Sequence, residues 1–79
     1  MITAWMWTHQ GALRGLRIDA ERQILYWHEE PGCDCDDTNW AQPLAEFLET
    51  GVPGWVGPLP ADVAGELQEI LHQLPTPHA

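Results

Sequence analysis

Ile2-Thr3-Ala4-Trp5-Met6-Trp7-Thr8 carries large apolar side chains at both odd and even positions. Aromatic and β-branched residues favour extended backbone, and so short a run suits a strand. Side chains alternate across a strand, so Thr3, Trp5 and Trp7 share one face while Ile2, Ala4 and Met6 share the other. Gln10-Gly11 reads as a turn, and Leu13–Asp19 as a second strand weakened by Gly15. Ala20–Gln23 can reverse the chain before a third strand at Ile24–Glu29, where Leu25 and Trp27 point one way and Ile24 and Tyr26 the other. Glu30-Pro31-Gly32 then stops the run. The expectation is a three-stranded antiparallel meander over about residues 2–29.

The remainder reads as helical. Trp40, Leu44, Phe47 and Leu48 recur with helical spacing, which predicts a helix over about 39–50. Asp37, Thr38 and Asn39 are good capping residues upstream, Pro43 suits a first turn, and Gly51 suits a helix end. Residues 52–59 hold too much Gly and Pro for a regular element, and Trp55, Val56 and Leu59 are the residues able to pin them to a core. Val63, Leu67, Ile70, Leu71 and Leu74 form the cleanest apolar stripe, which predicts a second helix over about 60–74. The fold class is therefore α+β, with two helices on one face of the meander. Residues 1–74 read as one domain and 75–79 as a frayed tail.

Charge narrows the range of partners. Residues 1–18 hold two Arg and no acid (net +2), whereas 19–79 hold twelve acids and one Arg (net −11). Nucleic acids and anionic membranes attract Lys and Arg, so both are poor partners for a chain of net charge −9. The absence of Lys and Ser, beside ample Ala, Leu, Gly and Pro, suits a GC-rich bacterial genome. Neither a signal peptide nor a membrane-spanning run is evident, and two Cys separated by one residue cannot staple a fold. A cytoplasmic protein with reduced thiols is the expectation.

The run Glu29-Glu30-Pro31-Gly32-Cys33-Asp34-Cys35-Asp36-Asp37 places five acids and two thiols in nine residues. Zinc could take Cys33, Cys35 and His28, but the Cys spacing departs from that of common zinc modules. Counted from Asp34, a calcium loop would need Gly at the sixth place and Glu at the twelfth, where Asn39 and Ala45 stand. Redox use is opposed by the strain of so small a disulfide ring, and by the acids, which suppress thiolate. The favoured reading is an acidic connection preceding a helix, where negative charge suits the macrodipole. No metal or cofactor is expected.

A chain without Ser has no Ser nucleophile, no phosphate-binding Gly loop is present, and no catalytic residues are assigned. One sheet face suffices to pack two helices, so the second apolar face is left as a candidate interaction surface. Trp5, Trp7, Leu25 and Trp27 are its candidate residues, or else their opposite-face neighbours, because the strand register is open. The expectation is a small Trp-rich, non-catalytic protein-interaction module that forms a homodimer. Two alternatives stand beside it: an acidic inhibitor filling a basic nucleic-acid-binding groove of a partner protein, and a metal-binding or redox protein using Cys33-Asp34-Cys35.

Overall fold

Gln10 and Gly11 both take positive φ, 51° and 81°. Two such residues make the tight reversal whose twist matches that of flanking strands. The computed structural model describes residues 2–30 and 38–74. Around this turn β1 (Ile2–His9) pairs antiparallel with β2 (Ala12–Asp19), His9 opposite Ala12 and Trp5 opposite Leu16. Asp19 closes the next turn, its Oδ1 accepting the backbone N–H groups of Glu21 and Arg22 at 3.1 Å each. Then β3 (Ile24–Glu30) returns beside β2, with Trp27 opposite Leu16.

The meander does not end there. Residues Thr38–Pro43 form β4 beside β3, giving a four-stranded sheet in the order β1-β2-β3-β4. The expected three strands and the expected helix start near residue 39 are thus both corrected. The reason is Pro43, whose ring disfavours helical backbone at the residue before it. Gln42 is held extended, and Pro43 itself sits at the helix N-cap with φ −59° and ψ 143°. The helix α1 spans only Leu44–Thr50. Of the spacing that suggested a longer helix, Leu44 is buried, Trp40 belongs to the sheet, and Leu48 is exposed. Gly51, with φ 76°, ends α1 as its sequence position suggests.

The second helix, α2 (Ala61–Gln73), lies where the apolar stripe puts it. Val63 and Leu67 are buried, and Ile70, Leu71 and Leu74 pack against the core. Leu74 is extended (φ −85°, ψ 146°), as a residue before proline prefers. Between the helices, Val56 is buried while Trp55 and Leu59 pack beside it, so the Gly- and Pro-rich segment is pinned to the core by these three. Leu16, Ile18, Leu25 and Trp27 from the sheet meet Leu44, Val56 and Leu67 in one cluster. The class is α+β, with both helices contributing to a core on one sheet face. The tail expected over 75–79 lies outside the described residues.

Two polar links hold this packing. Gln42 is fully buried, and its Oε1 accepts Trp27 Nε1 at 2.9 Å. Its amide nitrogen reaches Thr50 Oγ1 at 3.4 Å and the Gly51 carbonyl at 3.3 Å, tying β4 to the end of α1. Arg14, on the helix side of β2, donates from Nε to Glu29 Oε2 at 2.9 Å, and its Nη2 lies 2.8 Å from the same oxygen. Its Nη1 donates to the Val56 carbonyl. One guanidinium therefore fastens residues 52–59 to the sheet.

Candidate interaction surface

The register settles which face is open. Trp5, Leu16, Trp27 and Trp40 form one cross-strand row on the helix side, and Met6, Gly15, His28 and Asn39 form the neighbouring row on the other. Leu25 and Trp27 are 0% and 1% exposed, so they are core residues and offer no surface. Trp5 and Trp7 are half-buried on the same covered face, packed against that core. Trp5 Nε1 donates to Glu66 of α2 at 2.5 Å, whereas buried Trp7 Nε1 has no acceptor among the described residues. Leu25 and Trp27 are therefore not available as surface, and the uncovered face carries the opposite-face neighbours, the other set that the sequence left open. Volume is the physical reason: the Trp-bearing face fills the space under two helices, whereas the other has a glycine and polar side chains at its centre.

On the open face Ile2 and Met6 are 60% and 62% exposed. They belong to a patch in which Ala4, Arg17, Tyr26 and Ala41 form one cross-strand row beside Met6, Gly15, His28 and Asn39. The Arg17 guanidinium lies 4.6 Å from the centre of the Tyr26 ring and makes a low ridge. Next to it Gly15 leaves a gap. A Cβ there would meet the Trp5 carbonyl oxygen at 3.6 Å, His28 Cβ at 3.8 Å and Met6 Cγ at 4.0 Å. The result is a shallow open hollow of about 480 Å³ across all four strands. His28 is fixed at its rim, with Nδ1 2.7 Å from Asn39 Oδ1 and Nε2 3.2 Å from Glu30 Oε1. A second hollow, of about 500 Å³, lies between Trp40 and Trp55.

The patch can bind by shape and apolar contact. It combines the Ile2, Ala4, Met6 and Ala41 side chains with the Tyr26 ring and its stacked Arg17, and the His28–Asn39 pair with Glu30 stands at its rim. Of the acidic run, Glu29 and Glu30 are described: Glu29 binds Arg14 on the covered side and Glu30 faces His28. Cys33, Asp34, Cys35, Asp36 and Asp37 lie outside the described residues. Among the described residues no three His, Cys, Asp or Glu side chains gather to hold a metal ion. No described helix is long and apolar enough to cross a membrane.

The sequence missed the roles of Gln42 and Arg14, for different reasons. Arg14 and Glu29 become cross-strand neighbours once Gln10-Gly11 is taken as a two-residue turn and β3 is aligned on β2. Gln42 carries no local signal beyond its place before Pro43. Compared with protein-family models, with curated proteins and with solved structures, the chain gives no match to any.

Proposed function

We propose that this protein is a small, non-catalytic protein-interaction module that associates with itself through the N-terminal side of its sheet. The observation that carries the reading is the uncovered side of the sheet, where Ile2 and Met6 are exposed beside Ala4, Tyr26 and the stacked Arg17, and where β1 itself holds no carboxylate. Two copies of net charge −9 repel one another, so contact is least costly where neither presents a carboxylate. Exposed apolar patches rimmed by polar groups commonly mark such contacts. The reading sets the protein in the cytoplasm, where thiols stay reduced.

Sedimentation equilibrium at micromolar to hundreds of micromolar protein tests it. The expected result is a dimer that tightens between 50 and 500 mM salt, because salt screens the mutual repulsion. Met6→Asp, which puts a charge on the patch, should weaken it about tenfold or more. A monomer at every concentration and both salts would remove the reading. An acidic inhibitor of a basic groove would instead lose its partner steeply as salt rises.

A further inference from the structure

We infer that the partner surface is the free edge of β1, and that a second copy adds its own β1 antiparallel to it, making one continuous sheet of twice the width. The inference rests on the self-association proposed above and specifies its geometry. In a two-residue hairpin the residues flanking the turn exchange both backbone bonds, and the pattern then alternates. With His9 opposite Ala12, the backbone groups of Thr3, Trp5, Trp7 and His9 turn toward β2. Those of Ala4, Met6 and Thr8 turn outward, where the order β1-β2-β3-β4 provides no further strand among the described residues.

Soluble proteins usually blunt such an edge with charge, proline, a bulge or brevity. Here β1 has none of these. It runs eight residues with an unbroken register and contains no Asp, Glu, Lys, Arg or Pro. The opposite edge contrasts with it. There β4 is six residues long, ends in Pro43 and follows directly on a run of five acids between Glu29 and Asp37. Charge does not bar this edge: β1 itself holds no carboxylate, and the Glu66 carboxylate of α2 that reaches it is engaged by Trp5 Nε1. Full overlap over residues 2–8 sets Trp5 opposite its own copy and Ala4 opposite Met6, so the open patches of both copies join into one. The buried area comes from the paired edge, about 23 Å long at roughly 3.3 Å per residue, and from the side chains that meet across it, Trp5 with its own copy and Ala4 with Met6, which together can approach the ~1,000 Å² that a specific contact needs.

Amide hydrogen exchange on the intact protein, followed by NMR across a concentration series, tests the geometry directly. As dimer forms by sedimentation, the amides of Ala4, Met6 and Thr8 should slow by about tenfold or more, while those of Trp5 and Trp7 are already slow in the monomer. Ala4→Pro removes one outward N–H at a place where an edge strand tolerates proline, and should abolish the dimer while melting as a folded monomer. A dimer whose Ala4, Met6 and Thr8 amides exchange as in the monomer, or one that survives Ala4→Pro, overturns edge pairing yet leaves self-association standing. A monomer under all conditions overturns both. If Ala4→Pro fails to fold, the exchange series alone decides.

Discussion

Arg14→Ala is the sharpest test of how the loop is held against the sheet. The guanidinium is 11% exposed and Glu29 23%, so the pair is screened less than a surface pair but is not sealed from water. The substitution removes two contacts to Glu29 Oε2 and one to the Val56 carbonyl. Bonds to a charged group contribute about 1.5–3 kcal/mol each, but two that share an oxygen do not add. With a discount for the partial exposure of Glu29, the loss comes to about 2–4 kcal/mol. A domain of this size has a total of roughly 4–12 kcal/mol, so Arg14→Ala should lower Tm by at least about 8 °C. Glu29→Gln keeps the Val56 contact and should cost about 1–2 kcal/mol. Urea unfolding followed by Trp fluorescence gives both values, and the double substitution closes a cycle with a coupling of about 1–2 kcal/mol. If the two changes add within about 0.3 kcal/mol, Arg14 and Glu29 are not coupled, and if Arg14→Ala costs less than about 0.5 kcal/mol, the guanidinium is not what fastens residues 52–59.

Gln42→Leu strands the Trp27 indole N–H in the core and should cost about 1–3 kcal/mol, read by the same urea titration; unchanged stability would mean that the indole finds another acceptor. Leu67→Ala, at a residue 3% exposed, should cost about 2–5 kcal/mol and bring the domain close to unfolding, with a melting curve unmoved by more than a degree or two as the contrary result. Gln10→Asn supplies the side chain that tolerates positive φ best after glycine and should raise stability by about 0.3–1 kcal/mol, while a loss would show that Gln10 makes contacts its conformation does not reveal.

The first three strands and α2 were legible because each rests on a local signal. Apolar alternation is bounded by turn residues in one case, and one unbroken stripe is bounded by prolines in the other. The fourth strand was hidden because Trp40 and Leu44 are four residues apart by coincidence. Trp40 is fixed by its place opposite Trp27, and Leu44 is the first residue of the helix that follows. The weaker cue, a residue that precedes proline, pointed the right way but gives no partner strand. At the candidate surface the sequence revealed two apolar faces, yet which one is open depends on lateral neighbours. Gly15 is adjacent to Met6 and His28 only through the register, and the gap it leaves cannot be seen along a single strand.

Because each described strand pairs with its neighbour in the chain, assembling the sheet requires only short chain closures. Such a meander can zip outward from the Gln10-Gly11 and Ala20–Gln23 reversals before any distant segment arrives. The Arg14–Glu29 contact can therefore form early, whereas the Val56 and Leu67 contacts close over it late. A chevron analysis should then find Glu29→Gln slowing refolding, and Leu67→Ala chiefly speeding unfolding. In such a molecule the sheet sets how fast the native state is reached, and the helices set how long it lasts.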